Sequence, residues 1–560
     1  MGAFNTSFEF HRELESPLDF IRREWLPVIV FGGCFTALMF AVVLLIDQSF
    51  FYPRLQTDAL LYYLKAKSLA DAGTTAARVA INVPPFPYAS MPGAMRAPLL
   101  WLFHNFDDQL RAIQVANIAI TDAIALMAAY IVSWVVPRSR QWMAIGFVFG
   151  FMLLTPWWMA NVFFALADTP YAAFSLASTI AAVRIITSPR PLDRPLQLLG
   201  FSALFVAAFL FRYTEPVVIV LAAALWKGRL SGRKLPATTI LTITIVTAAL
   251  IALLVFLNRD AIFGRYIAEP IALFARSDKQ SMILNFFLLA VPEQVVPGFA
   301  LGFSHSPIID LYHAEFASNG MDVLWSVVGA TLTAVVFIGA WNIRGRMLPE
   351  ILMLVCVIPV LVVIMPSTSR YFMTYEPFFW IAFYEGARVV VSRIPGIVRQ
   401  PVASHAGAFA TVALLAGAAM GLRARERQEG SVHQRLAALG DLPGYVRGVS
   451  GTYRPLTQFL QTLPPARSIL TGARGSLGRW KAISNLDYYS PDSGLVALAA
   501  HKDVYVVLDC GSVAYCARAP EFESWVKTTL CQFGEFDYQL VFEAKAEKSA
   551  ARVYRLRPAA

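Results

Sequence analysis

Residues 27–46 read PVIVFGGCFTALMFAVVLLI, an unbroken apolar run that directly follows the segment containing Arg22 and Arg23. About 20 apolar residues in a helix cross the roughly 30 Å hydrocarbon core of a bilayer. The run is long for a signal-peptide core and no small-residue cleavage site follows it, which indicates a retained membrane helix. Further apolar runs lie at about 112–136, 142–160, 170–187, 196–213, 215–226, 236–257, 323–341, 350–366, 377–391 and 405–422. The sequence therefore predicts an α-helical polytopic membrane protein with about eleven spans.

The composition supports this fold class. The chain is 57% hydrophobic and only 15% charged, with a mean hydropathy of +0.55, whereas a soluble domain is about half apolar and a quarter charged. The net charge of +10 does not indicate nucleic-acid binding, because the basic residues fall between apolar runs instead of forming one patch. The 5 Cys show no C-x-x-C or zinc-like spacing, so they indicate no metal or redox centre.

Basic residues mark every second connection between the predicted spans. By the positive-inside rule these connections are cytoplasmic, which places the N-terminus in the cytoplasm of a plasma (inner) membrane protein and residues 423–560 outside. Two long loops, at about 47–111 and 258–322, also fall outside and are expected to lie along the membrane surface. The basic residues are Arg12, Arg22, Arg23, Arg138, Arg140, Arg190, Arg194, Lys227, Arg229, Arg233, Lys234, Arg344, Arg346, Arg393 and Arg399.

The chain divides into a membrane module, residues 1–422, and a soluble extracytoplasmic α/β domain, residues 423–560. In the second we predict a largely helical stretch at 431–463 and a helix at 522–530, among strands at 468–471, 504–508, 538–542 and 551–556. Cys510, Cys516 and Cys531 lie here. Two interpretations are open: one disulfide among the three, or three unpaired thiols. The domain contains no catalytic motif, so support or acceptor binding is its expected role.

The first outer loop contains a helical stretch, TDALLYYLKAKSLADAG, that begins at Thr57. Asp58, Tyr62 and Lys65 share one face of this helix with Leu69. Two interpretations of Asp58 are open. A carboxylate just outside the membrane suits a general base for an acceptor hydroxyl or amine, and an acid in the first turn of a helix with Thr57 as N-cap is also structurally favourable.

This loop resembles that of a known enzyme superfamily. A retained first span, an early Asp in a D-x-x-x-Y-x-x-x-A helix, and a Y…PG…R-x-PL segment ending at Leu99 are similar to the GT-C glycosyltransferases. That superfamily includes protein O-mannosyltransferases and the lipid A aminoarabinose transferase. The resemblance implies transfer of a sugar from a polyprenyl-phosphate donor to a lipid, glycan or protein acceptor at the outer face. It implies no certain cofactor, although a divalent metal ion is possible.

The resemblance also implies roles for individual residues. Asp58 matches the catalytic base and Asp168 the second outer acid, although Asp168 followed by Thr-Pro also suits a helix N-cap. Arg370 and Arg212 break the positive-inside pattern and suit phosphate binding. For Arg212 a second interpretation is open, in which an ordinary span-end arginine reaches lipid headgroups. Lys65 would assist at the phosphate. The expected substrate-binding residues are Tyr62, Arg96, Tyr371 and Tyr375.

Other polar positions remain open. Asp122 lies within the second predicted span, where a carboxylate either serves function or pairs with another side chain. Glu293 lies in the second outer loop with a group of metal-capable side chains that lacks a recognised ligand spacing. That group is His305, Asp310, His313 and Glu315. The sequence has no Walker A motif, no dinucleotide fingerprint and no D-x-D pair, which argues against soluble nucleotide-sugar chemistry.

Two other function classes compete with the glycosyltransferase. A transporter or lipid flippase often shows two similar halves and broken helices at the membrane midplane, and this sequence shows no matching halves. A membrane scaffold with a partner-binding outer domain would not explain two acids and two arginines at outer span ends.

Overall fold

A computed structural model describes the chain over the following residues, together with isolated residues between 245 and 299: 16–52, 57–72, 91–134, 136, 141–154, 156–164, 166–187, 195–212, 286–296, 320–343, 374–393, 451–465, 468–472, 480, 483–484, 486–488, 503–509, 519–531, 537–546 and 549–557.

The described part of the membrane module is mostly helical. A π-helical turn, Phe286–Ala290, leads into the short helix α10, and a 3₁₀ turn, Gln48–Phe50, follows α2. The helices are α1 Pro17–Arg23, α2 Trp25–Leu45, α3 Thr57–Ala72, α4 Met91–Leu102, α5 Phe106–Val132, α6 Gln141–Leu154, α7 Pro156–Phe163, α8 Asp168–Thr187, α9 Pro195–Phe211, α10 Val291–Val295, α11 Gly320–Ile343 and α12 Glu376–Ser392.

Within the described residues, three helices are long and apolar enough to cross a membrane: Trp25–Leu45, Phe106–Val132 and Val323–Ile343. They coincide with three of the predicted spans. The predicted spans 142–160, 170–187, 196–213 and 377–391 are also helical, the first of them divided between α6 and α7. The other four lie wholly or largely outside the described residues, so the count of eleven and the orientation stay predictions.

The helix α4 contains the PG…R-x-PL part of the first outer loop, and Pro92 and Gly93 form its first turn. Proline is tolerated there because the first amides of a helix lack intrahelical acceptors. Gly93 allows α4 to approach α3, since a Cβ at this position would lie 2.9 Å from Cβ of Lys65. The same helix carries Arg96 to the carbonyl of Leu166.

Asp122 joins two spans. Its carboxylate Oδ2 accepts a hydrogen bond of 2.7 Å from the hydroxyl of Thr36, which lies in α2. A carboxylate within a bilayer is expensive unless it has a partner. The contact therefore supports the structural interpretation of Asp122.

The helices α11 and α12 contact each other at two glycine residues. A Cβ at Gly339 would collide with the carbonyl oxygen of Ala382, and one at Gly386 would collide with the carbonyl oxygen of Val335. Small residues allow membrane helices to approach each other to backbone contact. This crossing fixes the position of α12 and, with it, the residues at its outer end.

The outer domain is a mixed sheet flanked by helices. Its strand order is β2-β1-β3-β5-β4. β1 pairs in parallel with β2 and with β3, whereas β5 pairs antiparallel with both β3 and β4. The four predicted strands and the predicted helix are confirmed, whereas β2 was not expected. Of the predicted helical stretch 431–463, the part up to residue 450 lies outside the described residues. The elements are α13 Tyr453–Thr462, β1 Ser468–Gly472, β2 Asp487–Tyr488, β3 Asp503–Asp509, α14 Ala519–Leu530, β4 Asp537–Ala546 and β5 Ser549–Arg557.

Contacts near the end of α2 join the outer domain to the membrane module. Arg454 of α13 lies 3.3 Å from the carboxylate of Asp47. An exposed ion pair of this kind contributes at most about 1 kcal/mol, so it orients the domain more than it stabilises it. Cys531 is exposed and forms no disulfide with a described residue, whereas Cys510 and Cys516 lie outside the described residues.

We predict that Gly339→Ala lowers the thermal midpoint of the detergent-purified protein, at a cost of about 1–3 kcal/mol. The added methyl group meets backbone atoms of α12, which cannot rotate away. Gly150→Ala is the matched control, because a Cβ at Gly150 meets no atom within 4 Å. Equal midpoints for the two variants would show that α11 and α12 do not cross at Gly339.

Candidate active site

Asp168 and Arg212 form a buried ion pair. Asp168 begins α8 and Arg212 follows the last residue of α9. The start of α8 meets the end of α9, so the two helices run antiparallel. There the Arg212 guanidinium donates to the carboxylate of Asp168, and both side chains are buried. The sequence placed both residues at outer span ends, and the structure brings them into contact.

Tyr171 extends this pair along α8. The guanidinium carbon of Arg212 lies 5.6 Å from the centre of the Tyr171 ring, a cation–π geometry. The Tyr171 hydroxyl oxygen lies 3.4 Å from that of Tyr375, which immediately precedes α12. The predicted residue Tyr375 is thus connected to the ion pair, whereas Tyr371 and Arg370 lie outside the described residues.

Arg96 supports the segment that leads into Asp168. Its side chain is only 1% exposed, and its guanidinium donates to the carbonyl oxygens of Pro92 at 3.0 Å and Leu166 at 2.5 Å. Burial lowers the pKa of Arg96 to about 10, while the nearby Tyr62 and Asp168 oppose this shift. The group is therefore charged at neutral pH. The structure gives Arg96 a positioning role, and its predicted contact with substrate stays a prediction.

Asn117 supports the same segment from α5. Its amide nitrogen donates to the carbonyl oxygens of Phe164 at 2.8 Å and Val162 at 3.2 Å. These carbonyls belong to the end of α7, where the last turn of a helix lacks intrahelical donors. Arg96 and Asn117 thus bind the carbonyls of Leu166, Phe164 and Val162 from two helices.

A second acidic position, missed in the sequence, lies beside Tyr375. Glu376 precedes the predicted span 377–391, is fully buried and accepts a hydrogen bond from the indole of Trp158. Burial raises the pKa of Glu376 to about 8. The hydrogen bond from Trp158 opposes this increase, and the negative charge of Glu293 adds to it. Glu376 therefore carries a proton at neutral pH. Its sequence signal was an acid followed by proline at the start of a span, the same signal that Asp168 gives.

The helix α3 contributes the remaining predicted residues. Asp58 lies in its first turn, as expected, but the structure does not describe the Asp58 side chain. Tyr62 is buried and lies close enough to Arg96 to act on its pKa. Lys65 is partly buried, which lowers its pKa, and it packs against Gly93 of α4. The predicted face of α3 is thus linked to the ion pair through α4.

Among the described residues, no group of three or more His, Cys, Asp or Glu side chains is arranged to hold a metal ion. Glu293 is buried in α10. The metal-capable residues that follow it in the second outer loop lie outside the described residues. Participation of a divalent ion stays an open expectation.

No protein-family model matches the chain, and no curated protein matches it. Among solved structures, the crystal structure of ArnT from Cupriavidus metallidurans bound to undecaprenyl phosphate is similar, at 13% identity and a TM-score of 0.46. The same protein in the apo state gives 13% identity and a TM-score of 0.44. Each match covers 92% of this chain and 97% of that chain. At such identity and TM-score, the function of this chain has to be inferred from its own residues.

We predict that Arg212→Met destabilises the protein by about 3–5 kcal/mol, because it leaves the buried Asp168 carboxylate without its bonded guanidinium. The double variant Asp168→Asn/Arg212→Met should lose less, since it buries no uncompensated charge. Thermal unfolding of both single variants and the double variant in detergent gives the coupling free energy. Strictly additive losses would contradict a direct pair.

We also predict that the stability of the protein falls as pH rises from about 4.5 to about 8. In the folded protein the pKa of Glu376 is raised from 4.5 to about 8. Between these values the unfolded chain has released this proton and the folded protein still holds it. Each pH unit in this window therefore lowers the free energy of unfolding by at most about 1.4 kcal/mol. Glu376→Gln should flatten the profile of thermal midpoint against pH in this window. A variant profile parallel to that of the wild type would contradict the protonation of Glu376.

Proposed function

We propose that this chain is a GT-C-type membrane glycosyltransferase. It would move one sugar from a polyprenyl-phosphate donor to an acceptor hydroxyl or amine at the extracytoplasmic face. The supporting observation is the buried Asp168–Arg212 pair, with Arg96 and the Tyr171–Tyr375 contact around it. An acid and two guanidinium groups at the outer ends of membrane helices are suited to a reaction in which a phosphate leaves.

The reaction needs few protein groups. A base removes the acceptor proton as the acceptor atom attacks the anomeric carbon of the sugar. The bond from that carbon to the phosphate oxygen breaks, and its electron pair leaves with the lipid phosphate. Fixed cations stabilise this developing charge. The polyprenyl chain stays in the bilayer, which explains why such a site lies at the ends of spans.

We assign the base to Asp58 and the positioning of acceptor or metal to Asp168. A guanidinium has donors in a planar fork that matches phosphate oxygens, so Arg212 and Arg370 would bind the donor phosphate with help from Lys65. Tyr62, Tyr371 and Tyr375 would contact the substrates. Arg96 would act mainly by fixing residues 166–168, and thereby the position of Asp168.

We predict that Asp58→Asn abolishes sugar transfer by the purified full-length protein from synthetic polyprenyl-phosphate sugars. Loss of a general base lowers turnover by about 10²–10⁴-fold. Asp537→Asn is the matched control, because it makes the same change at the exposed first residue of β4 and should leave transfer unchanged. Size-exclusion profiles of all three proteins report whether they are folded.

Other outcomes of this experiment separate the alternatives. Transfer retained in Asp58→Asn but lost in a folded Asp168→Asn would move the base to Asp168. No transfer from any donor by wild-type protein, together with substrate movement in proteoliposomes, would overturn the proposal in favour of a transporter or flippase.

A further inference from the structure

A cavity of about 820 Å³ lies between α3, the end of α4 and the start of α5. Cavities of about 300–1,000 Å³ have the size of small-molecule binding sites. Lys67, which lines this cavity, follows Asp58 by nine residues of the same helix. Nine residues correspond to two and a half helical turns, so the cavity borders the side of α3 opposite the proposed base. It is a space separate from the Asp168–Arg212 pair.

The wall that α4 contributes is fixed by Gln109 of α5. Its amide nitrogen donates to the carbonyl oxygens of Leu100 at 3.0 Å and Phe103 at 2.6 Å, and its amide oxygen accepts a hydrogen bond from the hydroxyl of Tyr63 in α3. The last carbonyl groups of a helix have no intrahelical donors, so these bonds attach the end of α4 to both neighbouring helices. The cavity is therefore bounded by backbone that is held in place.

The cavity lies at a membrane surface. The helices α3 and α4 follow α2 and precede α5 in the chain, and both α2 and α5 are long and apolar enough to cross a membrane. Trp101 and Leu102, which line the cavity, are 69% and 62% exposed, and the adjacent Phe103 is also exposed. Exposed apolar residues that include tryptophan are typical of the membrane–water interface. One wall of the cavity thus continues into a surface suited to lipid chains.

The polar lining of the cavity carries both signs of charge. Lys67 and Asp71 are four residues apart in α3, which makes them neighbours on one face of the helix, and His104 lies in the connection between α4 and α5. A lysine ammonium binds a phosphate as a point charge, and an imidazole can donate a hydrogen bond to it. The Asp71 carboxylate would repel a free phosphate and attract an amine. Electrostatic complementarity therefore favours a headgroup that contains both a phosphate and an amine.

We propose that this cavity binds a zwitterionic phospholipid of the adjacent leaflet. Its phosphate would lie at Lys67 and His104, its amine at Asp71, and the start of its acyl chains along Trp101 and Phe103. None of the described residues that line the cavity is assigned to sugar transfer. The site is therefore a second lipid site, separate from that of the polyprenyl-phosphate donor.

Hydrogen–deuterium exchange of the full-length protein in detergent tests the proposal, with dihexanoyl phosphatidylethanolamine as the probe. We expect saturable protection of peptides that cover residues 64–71 and 100–104. Lys67→Gln should weaken the apparent affinity at these peptides by about tenfold or more, equivalent to 1.4 kcal/mol per factor of ten. Lys527→Gln is the matched control, because it makes the same change at an exposed residue of α14 in the outer domain.

Trp101→Ser tests the apolar wall. Because the Trp101 side chain is largely exposed, its removal should leave the thermal midpoint unchanged while it weakens protection by the lipid. Trp142→Ser is the control, since it removes an exposed tryptophan from α6, which does not line the cavity. Equal affinity in wild type, Lys67→Gln and Trp101→Ser would overturn the proposal, as would protection at none of these peptides.

Three further ligands identify what the cavity recognises. Dihexanoyl phosphatidylglycerol, which has a phosphate and no amine, should bind more weakly than the ethanolamine lipid, and Asp71→Asn should remove this preference. Inorganic phosphate should give no protection at the same concentration. Protection by phosphate equal to that by the lipid would show a free-anion site and overturn the proposal. Farnesyl phosphate acting at lower concentration than the phospholipid would assign the cavity to the donor, with the same consequence.

The two sites can fail separately. The Asp58→Asn protein should keep the protection by phosphatidylethanolamine in full, because Asp58 lies on the other side of α3. Loss of sugar transfer with retained protection therefore concerns the first site alone. Normal sugar transfer without protection would overturn the lipid site and leave the proposed function intact.

Discussion

The arrangement of the site depends on the burial of one ion pair. A guanidinium and a carboxylate removed from water lose several kcal/mol each in hydration, which their attraction offsets only in good geometry and with further hydrogen bonds. Asp168 and Arg212 meet this condition because the start of α8 packs against the end of α9. Every other described feature of the site either adds an electrostatic partner to this pair or fixes the backbone that presents it.

The backbone before Asp168 is fixed from two directions. Arg96 binds the Leu166 carbonyl from α4, and Asn117 binds the carbonyls at the end of α7 from α5. Both donors are buried, and both satisfy carbonyl groups that no helix or sheet would otherwise pair. A loop inside a membrane protein is tolerated only where such partners exist. Gly93 completes this support, since only a glycine lets α4 lie close enough to α3.

The sequence predicted the parts of the molecule that local pattern determines. The apolar run at 27–46 and the apolar strand at 504–508 both appeared where expected, because their length and composition are recorded in neighbouring residues. Arg212 was identified because an arginine at a span end predicted to face outward breaks the positive-inside pattern. Trp158 and Glu376 are 218 residues apart in the chain, and no local pattern records that α7 and α12 meet.

Glu376 shows how such a long-range contact affects the chemistry. An ionised carboxylate beside Tyr375 would place a negative charge on the same side as the guanidinium of Arg212, to which we assign the binding of the donor phosphate. Burial against Trp158, next to the charge of Glu293, instead keeps Glu376 protonated at neutral pH. The neutral acid can still donate and accept hydrogen bonds, so it fills the interior without adding a negative charge. The electrostatic field where the start of α8 meets the end of α9 is then set by Arg96, Arg212 and Asp168, a balance that would suit the anionic donor of the proposed reaction.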